Sequence, residues 1–211
     1  MELFQMKIEV YTNGALEVNT YLLIRDTNVV MIDPGSGVLP ILGEIKVRGL
    51  TLSSALVTHP HIDHLDGIPL VKKLYPAAKC YISEEATPML QHIHKQARLF
   101  GLKDPGKIQF DGTLEATGTL TDNGLKINYF STPGHCVGSM TFEVEGNLFS
   151  GDLLFKESVG RTDFVGGDMD LLRNSIEKKI FRYPDKTAVF PGHGEPTTIG
   201  HEKTNNPYLS F

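Results

Sequence analysis

At 211 residues the chain is long enough for one large domain with a well-buried core, or for two small ones. Its 40% hydrophobic and 21% charged residues are those of an ordinary soluble globular protein, and a net charge of −5 gives no support to a nucleic-acid partner, which would favour a basic face. The apolar runs are too short to span a bilayer, Met1 to Lys7 lacks the basic start and apolar run of a secretory leader, and the two cysteines, Cys80 and Cys136, form no Cys-x-x-Cys pair or disulfide framework, so the expected home is a reduced cytoplasm.

Lys7 to Thr12, Thr20 to Arg25 and Val29 to Ile32 read as three strands separated by the turn residues Asn13-Gly14 and Asp26-Thr27-Asn28. Asp33-Pro34-Gly35-Ser36-Gly37 is a polar turn closing the third. A short helix is expected between Leu39 and Val47, followed by a buried strand at Ser53 to Val57. After Thr58 comes the densest polar stretch of the chain, His59-Pro60-His61-Ile62-Asp63-His64. A helical pattern follows, with Pro69 in its first turn and Ile68, Val71 and Leu74 on one side. The histidine stretch therefore occupies a strand-to-helix loop, where a rigid scaffold presents functional groups.

Lys79 to Ile82 reads as a further strand. Glu84 to Leu99 reads as an amphipathic helix, with Met89, Ile93 and Ala97 spaced by four and Leu90 alongside. His92 and His94 on it are two apart, face different directions and form no chelating pair. Strands return around Leu114 to Thr117, Leu125 to Ser131, Met140 to Val144 and Leu148 to Ser150. A helix is expected from Asp168, as its cap, to Ile180 through Leu171, Leu172 and Ile176, and Ala188 to Phe190 forms a last short strand. Each half gives several strands and then a helix, which suits two sheets packed face to face with helices outside.

Histidine nitrogens and carboxylate oxygens are the usual ligands of zinc and similar divalent ions. Along extended backbone His59 and His61 point to one side and can share an ion, while a turn into the helix would send Asp63 and His64 towards a second. Three later strand ends add candidates, each beside a glycine: His135 after Thr132-Pro133-Gly134, Asp152 after Gly151, and His193 between Gly192 and Gly194. Five histidines and two aspartates are too many for one tetrahedral ion. They suit two ions about 3.5–4 Å apart that share a carboxylate. The set holds no cysteine and leaves coordination positions open, which points to catalysis and away from a closed structural site.

His59-x-His61-x-Asp63-His64 together with His135, Asp152 and His193 resembles the complete ligand pattern of the metallo-β-lactamase fold superfamily, over nearly the whole chain. The resemblance implies an α+β fold, a four-layer αββα sandwich forming a single domain over residues 1–211. It implies two divalent ions, with zinc the first expectation and iron or manganese alternatives. His59, His61 and His135 would hold one, Asp63, His64 and His193 the other, and Asp152 would bridge them.

Gly160-Arg161-Thr162-Asp163-Phe164 and the ending Thr197-Thr198-Ile199-Gly200 with Asn206-Pro207 are similar to the short bacterial hydrolases of the glyoxalase II (hydroxyacylglutathione hydrolase) group. Persulfide dioxygenases share the first of these segments. The resemblance thus implies a thioester hydrolase, for a small-molecule substrate such as S-lactoylglutathione, using a hydroxide held between the metals, with Asp63 also placed to accept a proton from the nucleophilic water. The alternatives are a persulfide dioxygenase with one iron on His59, His61 and His135, and a lactone or ester hydrolase of the same fold. Arg161 stands where the long glyoxalase II enzymes carry a basic residue for the glutathione glycine carboxylate. Only eighteen residues follow His193, so their C-terminal helical domain is not expected, and Gly194-Glu195 lacks the tyrosine that follows their last metal histidine. Cys136 is expected to be buried packing and His201 structural or exposed.

Overall fold

The computed structural model describes residues 6–209. Met1–Gln5, on which most of the leader reading falls, lie outside the described residues. β1 (Lys7–Asn13), β2 (Val18–Arg25) and β3 (Asn28–Ile32) form an antiparallel meander. Successive side chains of a strand face opposite ways, so Tyr21 and Leu23 of β2 enter one apolar layer and Leu22 and Ile24 another. α1 (Leu39–Val47) leads to β4 (Thr51–Leu56), parallel to β3. α2 (Ile62–Leu65) and α3 (Ile68–Leu74) return the chain to β5 (Lys79–Ser83), parallel to β4. Ile68 and Val71 are buried as expected, but Leu74 is exposed.

The single helix expected over Glu84 to Leu99 is two elements. Glu84–His92 winds as 3-10 turns, and only α4 (Ile93–Leu99) is α-helical. Pro88 explains the break. It has no N–H to donate to the carbonyl four residues back, and the Thr87 hydroxyl takes that Glu84 carbonyl instead, at 2.8 Å. The strand expected around Leu114 to Thr117 is likewise two. β6 (Gly112–Leu114) closes the first sheet and β7 (Thr117–Asp122) opens the second, so Glu115-Ala116 is the crossing.

β7 turns into β8 (Leu125–Ser131) at Asn123-Gly124, both with φ > 0, the pair a two-residue hairpin favours. β9 (Met140–Val144) and β10 (Asn147–Gly151) complete the meander. A small ribbon of β11 (Leu154–Phe155) and β12 (Ser158–Val159) follows. Asp168 caps α5 (Met169–Ser175) as expected, accepting from Leu171 N at 2.9 Å. The rest of that expected helix, Ile176–Ile180, loosens into a π turn closed by Phe181 N to Ile176 O, and Leu171 is exposed. β13 (Ala188–Pro191) joins parallel to β10, and β14 (Thr197–Thr198) and α6 (Ile199–Asn205) end the described chain.

The two six-stranded sheets, β1-β2-β3-β4-β5-β6 and β14-β13-β10-β9-β8-β7, pack face to face. Tyr21, Leu23, Ile32 and Leu56 of the first meet Ile127, Phe142 and Phe149 of the second. α1, α2, α3 and α4 cover the outer face of the first sheet, and α5 and α6 that of the second. The expected αββα sandwich is thus the observed fold, in one domain. No helix among the described residues is long and apolar enough to cross a membrane.

This topology makes one functional edge. β3 and β4 end in register at Ile32 and Leu56, and β10 and β13 end together at Gly151 and Pro191. The sheets are stitched there by Met140 N to Thr58 O at 2.8 Å and Asn19 N to Gly192 O at 2.7 Å.

Candidate metal centre

Each of the seven candidate ligands follows the C-terminal end of a strand at this edge. Thr58 and His59 follow β4. His61 is the last extended residue before α2, with φ −81° and ψ 144°, and Asp63 and His64 lie on the first turn of that helix. The chain therefore changes from extended to helical within the histidine stretch, and that change separates His59 and His61 from Asp63 and His64. His135 follows β8, Asp152 follows β10 and His193 follows β13. Gly192 has to be glycine. A Cβ there would lie 2.2 Å from Asp152 Oδ1 and 2.6 Å from His64 Cε1. Gly151, with φ +53°, ends β10 just before Asp152, and a Cβ there would lie 2.5 Å from Thr58 Oγ1.

Three groups of candidate ligand atoms result, each within 4.8 Å of one another: His59, His61 and His135; Asp63, His64 and His193; and between them His59, His64 and Asp152. Asp152 is the hub. Its carboxylate oxygens lie 3.5 Å from His64 Nε2, 3.7 Å from both His135 Nε2 and His193 Nε2, and 4.0 Å from His59 Nε2. Most of these gaps are too long for hydrogen bonds. They suit donors around an ion, since Zn–N bonds of about 2.0–2.1 Å put tetrahedral ligands roughly 3.3–3.5 Å apart. His59 Nε2 and Asp152 Oδ1 are buried with no hydrogen-bond partner among the described residues. Orphaned buried acceptors are costly, and a cation shared by this donor set satisfies both.

The far sides of the rings decide which nitrogen faces the centre. His64 Nδ1 donates to Asp33 Oδ2 at 2.9 Å, His135 Nδ1 to the Arg161 carbonyl at 2.7 Å, and His193 Nδ1 to the Glu17 carbonyl at 3.2 Å. His59 Nδ1 lies 3.0 Å from Thr58 Oγ1, which in turn donates to Asp33 at 2.7 Å. All four therefore present Nε2 inward. His61 is the exception, with Nδ1 facing His135 Nε2 at 2.9 Å.

Asp33, read from the sequence only as part of a polar turn, is the residue that reading missed. It is 1% exposed and receives three hydrogen bonds, from Thr58 N, Thr58 Oγ1 and His64 Nδ1. Its backbone is left-handed, φ 52°, which a non-glycine residue adopts only when its surroundings hold it there. A signal did exist. Asp33 is a carboxylate ending a wholly apolar strand, just before Pro34-Gly35.

Electrostatics divide the rings. Burial pushes His59 well below the usual histidine range and His61 down to about 3, with the neighbouring imidazoles adding to the effect. Burial also lowers His135, and outweighs the pull of Asp152. Burial opposes charge on His64 too, but Asp63, Asp152 and Asp33 around it prevail and raise it to about 10. His193 is raised the same way, its hydrogen bond to Asp63 outweighing burial, and despite its own burial Asp63 is held well below the usual carboxylate range by His64 and His193. One side is a nest of neutral imidazoles and the other a carboxylate cage that holds positive charge. Ligands of a cation must shed their protons, and the same carboxylates that favour a proton on His64 and His193 would favour a cation.

The centre opens into a cleft of about 390 Å³, walled by Leu16 from the β1–β2 turn, Phe100, Phe155, Val159 and Phe164. Phe164 packs on His61 with centroids 4.5 Å apart and on His135 at 5.6 Å. Arg161 lines the cleft, but its guanidinium is mostly exposed, pairs with Asp163 and lies 4.5 Å over the Phe164 ring. The remaining residues singled out lie elsewhere. His94 pairs with Asp104, His201 with Glu157, and Cys80 and Cys136 are buried free thiols. The C-terminal segment is a brace. Buried Glu202 accepts from Glu157 N, Thr197 Oγ1 and Asn206 Nδ2, which ties α6 to the β11–β12 ribbon.

A family model described as the Metallo-beta-lactamase superfamily matches residues 13–193. Among curated relatives, the probable metallo-hydrolase M6_Spy0554 of Streptococcus pyogenes is 32% identical over 97% of this chain and 90% of its own. Hydroxyacylglutathione hydrolase GloC of Haemophilus influenzae is 32% identical over 97% and 99%. Similar solved structures include the BLEG-1 B3 metallo-beta-lactamase, with a TM-score of 0.91 and 34% identity over 97% of this chain and 100% of that one. TTHA1623 in a di-iron-bound form has a TM-score of 0.85 and 34% identity over 95% and 100%, and ETHE1 from Myxococcus xanthus 0.80 and 25% over 96% and 84%.

Proposed function

The chain belongs to the metallo-β-lactamase superfamily and is a metallo-hydrolase with a histidine–aspartate metal site; from that premise we propose that it hydrolyses a small thioester, S-lactoylglutathione being the first candidate. The observation that carries the reading is two ligand trios meeting at one shared carboxylate, Asp152, at the floor of an open cleft. We assign His59, His61 and His135 to one divalent ion, Asp63, His64 and His193 to a second, and Asp152 to both, with zinc the first candidate in each. When bound, such a pair supplies an acidified water as nucleophile and polarises a carbonyl.

The residues of the cleft argue for the leaving group. Apart from the proposed ligands, its lining offers only the Ser158 hydroxyl and the permanently charged Arg161 as polar side chains. Neither is a proton donor suited to an expelled amine. A thiolate, whose parent thiol has a pKa of about 8.5, departs without one. This favours a thioester over an amide. Asp63 is proposed as a proton acceptor as well as a ligand. The similarity to the GloC hydrolase supports the reading, and the free buried thiols go with the proposed cytoplasmic setting. The domain is taken to span 1–211, with a small molecule and not a nucleic acid as partner.

A second reading has its own support. The neutral trio His59, His61 and His135 is a complete set for one iron, as a persulfide dioxygenase would need, and the likeness to the ETHE1 structure is compatible with it. Thiol release from S-lactoylglutathione and from an acyl-cysteamine, by protein loaded with zinc, iron or manganese, separates the two. We expect turnover of both thioesters and two ions per chain. No thioester turnover, with one iron bound and oxygen consumed on glutathione persulfide, would establish the dioxygenase instead.

A further inference from the structure

Beside the metal cleft lies a second cavity of about 230 Å³, lined by Met89, Leu99, Phe100, Phe164 and Val165, with His92, Lys95 and Gln96 as its polar neighbours. The two cavities share His61, Phe100 and Phe164. The annex therefore adjoins the metal cleft along His61, Phe100 and Phe164, within reach of a molecule whose reacting carbon lies at the metal centre. The annex is built by the 3-10 turns around Pro88, which supply Met89 and His92, by α4, which supplies Lys95, Gln96 and Leu99, by Phe100 just after it, and by the loop carrying Phe164 and Val165. Its walls are apolar side chains left open to solvent. Leu99 is 75% exposed and Val165 73%, a pairing of large apolar groups at a cleft mouth that marks a binding surface more often than chance exposure does. The Gln96 amide is already used, accepting from Ile62 N at 3.0 Å and donating to Pro60 O. That leaves His61 and the exposed Lys95 and His92 as the other polar side chains of an otherwise apolar lining.

We propose that this annex binds an apolar substituent of the substrate, so that the chain prefers thioesters or esters whose acyl or thiol part carries an extended hydrocarbon group over those with small polar groups on both sides. The inference rests on the hydrolase reading of the metal cleft and names the substrate class that reading leaves open. Its test does not need turnover.

N-acetyl-S-alkylcysteamine thioethers cannot be hydrolysed, and their binding to metal-loaded protein is read by calorimetry. The hexyl thioether should bind roughly tenfold or more tightly than the ethyl thioether, because each buried methylene adds severalfold to affinity. Leu99→Asp and Val165→Asp place a carboxylate in the mouth at positions exposed enough to leave folding intact. Each should shrink the hexyl-to-ethyl ratio to within about threefold. Val47→Asp, exposed on α1 and outside both cavities, should leave the ratio as it is. Equal affinities for the two thioethers, or a ratio untouched by Leu99→Asp and Val165→Asp, would overturn the annex as a substrate site. Failure of the thioester reading would show separately, as absent thiol release with the binding ratio intact.

Discussion

The two walls of the metal cleft are built on opposite principles. Behind the proposed ligands, towards the sheets, the wall is a buried polar web. Asp33 holds Thr58 and His64, Thr58 meets His59, and Tyr21 and Asn19 close it through the carbonyls of Pro191 and Gly194. In front, the wall is apolar and half open, with Phe164, Phe100, Phe155 and Leu16 facing solvent-filled space. The rear wall engages the far side of His64 and His59 in hydrogen bonds and leaves only His59 Nε2, which faces the centre, without a partner among the described residues, so it fixes ring orientation. The front wall offers area without direction, so it can accept different substrates. If the proposed assignments hold, metal chemistry and substrate choice sit on different walls, and substitutions should separate them.

Asp152 stands on the dividing line and should give the largest effect. Asp152→Ala removes the carboxylate that lies near His59, His64, His135 and His193 together. Activity is expected to fall by roughly a thousandfold or more, beyond the 10–100-fold typical of losing an outer partner of a ligand. Elemental analysis of the desalted variant should show fewer ions per chain. Full metal content with near-normal kcat would break the division at its hinge.

Asp33→Asn tests the rear wall alone. The amide keeps the shape and can still accept from Thr58 N, but it loses the negative charge opposite His64. Metal affinity, measured against a competing chelator, should drop about 10–100-fold, while KM at saturating metal stays within about twofold. A raised KM at full metal occupancy would show that the rear wall reaches the substrate after all.

The same contrast explains what the sequence disclosed. The proposed ligands stood out because His59, His61, Asp63 and His64 fall within six residues, and because His135, Asp152 and His193 each follow a strand and a glycine. Asp33 did not, since its partner His64 is 31 positions away and nothing local marks the bond. The long strands were legible from apolar runs such as Tyr21–Ile24. β11, β12 and β14 have two residues each, too few to show any period. The Glu84–Leu99 pattern read as one helix because periodicity registers the side-chain face and is blind to the missing N–H of Pro88. The apolar front wall was invisible for a different reason. Leu16, Phe100, Phe155 and Phe164 come from four separate stretches of the chain, three loops and β11, and only the fold brings them together.

Arg161→Ala should give the smallest effect, and it tests the front wall. The guanidinium was expected to grip a substrate carboxylate. It is 62% exposed, already paired with Asp163 and stacked on Phe164. A carboxylate ligand would have to share the guanidinium with Asp163, and exposed ion pairs of this kind contribute only about 0.2–1 kcal/mol. Converted to affinity, that is a factor of about 1.4–5. For a carboxylate-bearing thioester such as S-lactoylglutathione, KM is expected to rise about two- to fivefold with kcat unchanged. For an uncharged acyl-cysteamine neither constant should move. Asp163→Asn should shift KM for the charged substrate in the opposite direction by a similar factor, because it frees the guanidinium without removing it. A fall in kcat on both substrates would instead mean that Arg161 acts through its carbonyl, the acceptor for His135 Nδ1. The side-chain change would then be disturbing the ring it orients, and the two walls would prove to be joined at that residue.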